Sequence, residues 1–314
     1  MKHAKFTKIL MCLTTALAIT FTVGAAGACS VKTNHPEAHI TYKFNGKEYD
    51  VTYTLYRNMY PHTVQHFIEL ANAELYNGIV IHDYQTNDWI TGGYSYDEKV
   101  YATHSESVSL MSEYFEEHSK EDAYMQLFNE GKLSASVYGN YKFDGKDNMI
   151  YDEESVLPTV MGEFYNNIRQ EIDNGKLTQE YGCLKMFYYS KETTKKVYVT
   201  PTKNETIMAD YKNNCATSLF ALQTGTSSTY GENNYTVFAK LKSTKEFDNL
   251  VDAVRNYIRD NHGGTASEFY NLTEARVDNY ENFSDKIEAD KGTSVSFNAP
   301  KAPIIIKTVK ITKY

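Results

Sequence analysis

Apolar and polar residues alternate through Ile40, Tyr42 and Phe44, pause at Asn45-Gly46, and alternate again through Tyr49, Val51, Tyr53 and Leu55. A period of two marks strands with one buried face. Asn-Gly supplies the two positive φ angles of a tight turn, so the segment predicts an antiparallel hairpin. The period then changes. After Tyr60-Pro61, the apolar residues Val64, Phe67, Ile68, Ala71 and Leu75 fall at helical spacing, with Pro tolerated in the first turn, and Asn77-Gly78 ends the helix. Ile79-Val80-Ile81 predicts a third, buried strand.

Residues 94–160 differ: they are rich in acid, Tyr and Ser, predict a helix near Glu113 to Glu130, and carry no strong strand pattern. Strand patterns return at Gly182 to Tyr189, Leu219 to Leu222 and Tyr235 to Leu241, with a Lys- and Thr-rich segment from Lys191 to Asn214 between the first two. Ser243 and Glu246 form a capping box ahead of Phe247, Leu250, Val251, Val254 and Ile258, a second amphipathic helix that stops at Gly263-Gly264. A polar, partly helical stretch is expected up to Pro300, then a closing strand from Ile304 to Ile311. Several strands and two helices in no alternating order predict a mainly β fold, a closed sheet or barrel capped by helices. No internal repeat is present.

The first 28 residues stand apart. Lys2, Lys5 and Lys8 precede an apolar run from Ile9 to Ala28, the pattern of an export signal. The run ends in Ala25-Ala26-Gly27-Ala28-Cys29, and a cysteine directly after small residues resembles the bacterial lipobox, where a lipid on that cysteine anchors the chain. An ordinary A-x-A cleavage site with an incidental Cys29 is the alternative reading. Residues 29–38 would then be a tether, and the protein is expected at the outer face of the cytoplasmic membrane, or secreted if Cys29 is not acylated. With Lys+Arg 32 against Asp+Glu 40 and a net charge of -8, no basic run exists to displace counterions from phosphate, which excludes a nucleic-acid partner. Cys183 and Cys215 either pair outside the cell or stay as two buried thiols.

Common catalytic signatures are absent: no G-x-S-x-G, no G-x-x-x-x-G-K, no C-x-x-C and no dinucleotide glycine pattern. His62 and His66 have the i, i+4 spacing of a zinc pair but no following Glu, and read as a solvated helix face. Asp144, Asp147, Asp152, Glu153 and Glu154 read as an exposed acidic loop without EF-hand order. The Asn-x-Ser/Thr sites at Asn204, Asn234, Asn271 and Asn282 need a eukaryotic secretory path, against which the lipobox argues.

One constellation runs collinearly through the chain. Pro61-His62-Thr63-Val64-Gln65-His66-Phe67, then Tyr76-Asn77-Gly78-Ile79-Val80-Ile81-His82 and Gly92-Gly93, resembles the cyclophilin pattern P-x-T-V-x-N-F, Y-x-G-x-x-F-H-R and Q-G-G. Gly162-Glu163-Phe164 with Asn167 resembles G-E-F-x-x-N, Gly182 to Met186 resembles G-x-L-S-M, Ser218-Leu219-Phe220 resembles S-Q-F, and Asn233 to Ala239 is similar to D-G-x-Y-T-V-F-G. The resemblance covers less than half of the chain. It implies a closed antiparallel eight-stranded barrel capped by two helices, spanning residues 39–314, with large partly helical insertions at 94–161, 187–217 and 263–302. It also implies peptidyl-prolyl cis/trans isomerisation of proline-containing segments of exported proteins, with no cofactor.

A prolyl bond turns slowly because amide resonance must be broken, a barrier of about 18–20 kcal/mol. In the family an Arg donates toward the proline nitrogen in the twisted state while an apolar pocket holds the ring, which is preorganised electrostatics. Here the Arg position, next to His82, is Asp83, which carries the opposite charge and cannot donate. Asp88 stands for the family's Phe, Trp89 for Met, Thr91 for Gln, Leu219 for a second Gln and Ala221 for the pocket Phe. Phe187 follows the G-x-L-S-M match, Tyr230 falls near the family's Trp, and Tyr235 is the usual bacterial alternative to His. Lys185 lies beside this groove as a cation that could stand for the missing guanidinium. Two readings follow: a lipid-anchored isomerase with weak or lost activity, or a non-catalytic cyclophilin-like scaffold that binds a peptide or protein through the altered groove and acidic insertions.

Overall fold

The computed structural model describes residues 33–134, 141–143, 149–151, 160–163, 177–202, 205–228, 235–277 and 293–314. The signal, Cys29, the acidic loop residues Asp144, Asp147 and Asp152 to Glu154, Tyr230 and three of the four glycosylation sequons lie outside these residues. No helix among the described residues is long and apolar enough to cross a membrane.

β1 (Glu37–Phe44) and β2 (Lys47–Leu55) form the expected hairpin, with Asn45 at φ 46 and Gly46 at φ 78. Their alternate residues are buried, as the period of two requires. α1 (Pro61–Asn72) follows, with Pro61 in its first turn and Val64, Phe67, Ile68 and Ala71 buried. Its first N–H groups are satisfied by a distant carboxylate: Glu163 accepts from the N–H of His62 at 3.3 Å, and from the N–H and hydroxyl of Thr63 at 2.9 and 2.8 Å. His66 corrects the expectation of a solvated face. It is fully buried, edge-on to Tyr124 at 5.9 Å.

β3 (Ile79–Val80), β4 (Asp83–Tyr84) and β5 (Asp88–Thr91) come next, then three helices, α2 (Glu98–His104), α3 (Val108–Glu117) and α4 (Glu121–Asn129). The single helix expected near Glu113 to Glu130 is thus two, broken at His118 to Lys120. β6 (Tyr141–Phe143) pairs with β7 (Met149–Tyr151), and β8 (Val160–Met161) joins the main sheet. β9 (Leu184–Thr202) and β10 (Glu205–Gln223) pair with each other from Leu222↔Leu184 to Glu205↔Thr202. Of residues 187–217, expected as an insertion, the described ones continue both strands into one long two-stranded arm. The register places Cys215 opposite Tyr188, while Cys183 lies beside Gln223, too far along the ladder for a disulfide. Cys183 is a buried free thiol.

β11 (Thr236–Leu241) and α5 (Lys245–Asn261) match the expected strand and helix. The capping box does not form: the N-cap is Thr244, in helical conformation and without a side-chain cap, so Ser243 sits one residue too early. The stretch before Pro300, expected to be partly helical, carries one 3-10 turn and then β12 (Tyr270–Val277) paired with β13 (Thr293–Pro300). β14 (Ile304–Lys313) closes the chain.

The main sheet is antiparallel, ordered β3-β14-β1-β2-β11-β9-β10-β5-β4, with β8 on β10. It is strongly curled, because one short segment, Ile79 to Tyr84, supplies both of its ends. The N–H of Ile81 donates to Ile304 of β14 at 2.8 Å, while the next N–H, of His82, donates to Ile90 of β5 at 3.0 Å. A core of aromatic and branched side chains fills the curl, with Phe67 of α1 against Tyr76, Phe220 and Phe238 at 5.1–5.6 Å. A second, smaller core joins Tyr101, Met111, Tyr114 and Phe115 of the α2–α3 segment to Ala275, Phe297 and Ala299 of β12–β13. Two segments far apart in sequence therefore form one layer over the β3–β4 side of the sheet.

Candidate functional site

Asp83 opens the candidate site. The turn after β4 is closed by paired backbone bonds between Gln85 and Asp88, at 2.9 and 3.3 Å. It brings β4 and β5 together in the register Asp83↔Ile90 and Tyr84↔Trp89. β5 lies in turn on β10, with Ala221↔Ile90 and Leu222↔Trp89, and β10 on β9, with Ala221↔Lys185. Residues directly opposite on antiparallel strands share a face, so Asp83, Ile90, Ala221 and Lys185 line one face, joined by Asp88 two residues from Ile90. Trp89 and Thr91 belong to the other face. Trp89 packs in the main core near Tyr84, and its indole N–H has no partner among the described residues; the Thr91 hydroxyl donates to the carbonyl of Val80 at 2.9 Å. Leu219 is half-buried in β10, Tyr235 is half-buried just before β11, and Phe187 lies in β9.

Asp83 does not face an open groove. Its carboxylate accepts from the backbone N–H of Asn298 in β13 at 3.0 Å and from the side chain of Gln85 at 3.0 Å, and the Asn298 amide donates to the Tyr84 carbonyl at 3.2 Å. β13 is thereby pinned across β4. Burial pushes the Asp83 carboxyl above the usual carboxylate range, and the two donated hydrogen bonds pull it part of the way back. His82 is 6% exposed, edge-on to Tyr94 at 4.8 Å and Phe297 at 5.5 Å, and its Nδ1 has no partner among the described residues. Burial alone lowers its pKa to about 3, so the ring is neutral.

The second half of the site is an ionic group. Asp88 and Lys185 are both fully buried and form a direct ion pair. The Lys185 ammonium also donates to the Ser228 hydroxyl at 2.7 Å, and Ser228 donates to the second Asp88 oxygen at 3.2 Å. The small Ala221 side chain, directly across from Lys185, leaves room for the lysine stem. Lys185 therefore belongs to Asp88 and not to Asp83. The sequence pointed to Asp83, Asp88 and Lys185; it missed Ser228 and Asn298, which reach the site from segments with no local chemical signature. The apolar-polar alternation Val295, Phe297 and Ala299 was the signal that could have revealed β13.

Gly92 holds the end of β5 against β10. At φ 102, a Cβ there would stand 2.2 Å from the Ser218 carbonyl, while the Ser218 hydroxyl donates to the Gly92 carbonyl at 2.8 Å. This contact explains one glycine of the Gly92-Gly93 pair. Among the described residues no cluster of three His, Cys, Asp or Glu could hold a metal ion.

A curled antiparallel sheet with a helix packed in it, and a His-x strand joined by a tight turn to a strand ending in Gly-Gly, define the class. The model of the family described as cyclophilin type peptidyl-prolyl cis-trans isomerase matches residues 39–267. The chain belongs to this family. A crystal structure of a Cryptosporidium parvum cyclophilin type peptidyl-prolyl cis-trans isomerase is similar at 13% identity, covering 89% of this chain and 99% of that one, with a TM-score of 0.38. The same enzyme in the presence of the dipeptide Ala-Pro is similar at 14% identity, covering 88% and 99%, with a TM-score of 0.36. The Mimivirus cyclophilin is similar at 12% identity, covering 73% and 82%, with a TM-score of 0.36. None of the curated proteins matches the chain.

Proposed function

We propose that this protein is an exported cyclophilin-type domain, held to the membrane by a lipid on Cys29, that engages proline-containing polypeptides with weak or lost isomerase activity. The curled sheet is read as the family's closed eight-stranded barrel, with Ile79 to Tyr84 as its seam. One observation carries the loss of activity: the side chain at the position of the family's Arg is a carboxylate that accepts the Asn298 N–H. That arrangement has neither a donor for the proline nitrogen nor open space above it. The Asp88–Lys185–Ser228 group adds a second obstacle, because ions stand where an apolar pocket would receive the ring. The same two features favour the non-catalytic scaffold over the weak isomerase.

Restoring the family residues tests this. Asp83→Arg with Thr91→Gln should leave a protease-coupled assay on a proline tetrapeptide at the wild-type level, because the Asp88–Lys185–Ser228 group stays where the ring would sit. A rise to ordinary cyclophilin turnover would show that the two substitutions alone had silenced an open groove. Anchoring is tested apart from catalysis: Cys29→Ser should release the protein from the membrane, and unchanged retention would refute acylation.

A further inference from the structure

A cleft of about 400 Å³ lies away from the Asp83 face, between the β1–β2 turn, α2, α5 and the segment joining β13 to β14. We infer that it binds a compact aromatic monocarboxylate. Lys43 and Lys301 line it, both half-buried and neither held in an ion pair among the described residues. The natural partner of Lys43 would be Glu48, directly opposite on β2, but the Glu48 carboxylate is taken by Lys307 at 2.6 Å. On a chain of net charge -8, two unpaired ammonium groups in one concavity make it a local attractor for anions. Glu98, exposed at the rim, is the one acidic residue in the lining among the described residues. Two ammoniums against one carboxylate leave a single positive charge, which one ligand carboxylate balances and a dianion exceeds.

The rest of the lining sets the body of the ligand. Tyr96 and Tyr257 line the cleft, Tyr96 beside Tyr101 at 5.7 Å and Tyr257 edge-on to Phe44 at 5.4 Å, and their hydroxyls donate to no group among the described residues. Aromatic walls of this kind favour a ring stacked or edge-on between them. The volume falls within the range of small-molecule sites, near its lower end. A single ring with a carboxylate on a short arm fits both the charge and the space.

Calorimetric titration of the full-length protein with 4-hydroxyphenylacetate tests the assignment. Saturable binding is expected, with 4-hydroxyphenylacetamide at least about tenfold weaker because it lacks the charge. Lys43→Met and Lys301→Met should each weaken the acid by about tenfold, while Lys310→Met, on the exposed side of β14, should not. Ala102→Trp, which fills the cleft and keeps both lysines, should abolish binding, and covers the case in which a lysine variant fails to fold. No saturation, equal affinity for the amide, full displacement by inorganic phosphate, or equal weakening by Lys310→Met would overturn the proposal.

Discussion

Lys185→Met should lower the free energy of unfolding by about 3–5 kcal/mol, the cost of leaving a buried charge without its partner. Asp88 is fully buried, with the Lys185 ammonium and the Ser228 hydroxyl on its oxygens. Removing the ammonium leaves the carboxylate either desolvated or forced to take up a proton. Replacing both ions, Asp88→Leu with Lys185→Met, should recover most of the loss, because matched apolar groups avoid desolvation altogether. Urea unfolding of the two single variants and the double variant closes the cycle. A single variant within about 0.5 kcal/mol of wild type would mean that the pair is hydrated in solution and that the pocket is open.

His82 makes stability fall as the solution is acidified from pH 6.5. In the unfolded chain the imidazole takes a proton near 6.5, whereas in the fold its pKa is lowered to about 3, so between these values only the unfolded state binds the proton. The stability present above pH 6.5 is lost at about 1.4 kcal/mol per pH unit, on the order of 5 kcal/mol across the window. The groups facing the ring are Tyr94 and Phe297, which offer no compensating charge. Asp83, next in sequence, works the other way: with its pKa raised above 3.8, the folded state gains stability as pH falls through the raised value toward 3.8, which partly offsets the His82 loss there, and gains no more below 3.8. His82→Phe keeps an aromatic ring between Tyr94 and Phe297 and removes the proton. Its denaturation midpoint should fall less than that of wild type between pH 7 and pH 4. Parallel curves for the two proteins would place the protonated ring in contact with water.

Much of the sheet was legible because its strands have one wet face. The β1–β2 hairpin could be placed to the residue, since Asn-Gly is one of the few pairs that accept two positive φ angles in succession at low cost. α1 and α5 were legible from the period of their buried residues, although α5 begins at Lys245, one residue too late for its apparent capping box. The β9–β10 arm was hidden because its residues pair with each other, so no core-facing period is imposed on Lys191 to Asn214. β12 was hidden because its inward face is Asn271, Thr273 and Ala275, small or polar residues that satisfy α3 without hydrophobic alternation. In the site, the identities of Asp83 and Asp88 already carried the chemistry. Their partners did not show, because Asn298 acts through its backbone and Ser228 through a loop. Strand alternation, applied to Asp88-Trp89-Ile90-Thr91, separates the groove face from the core face, a distinction that family position alone does not make.

On the proposed reading, the family's catalytic face is a closed, ionic one in this protein. Two-dimensional NMR exchange on an Ala-Pro peptide, with and without the full-length protein, measures it most directly. Cis/trans exchange should stay at the uncatalysed rate, tens to hundreds of seconds at about 25 °C, at substoichiometric protein. Exchange accelerated to the turnover of an ordinary cyclophilin, and abolished by Asp83→Ala, would contradict it.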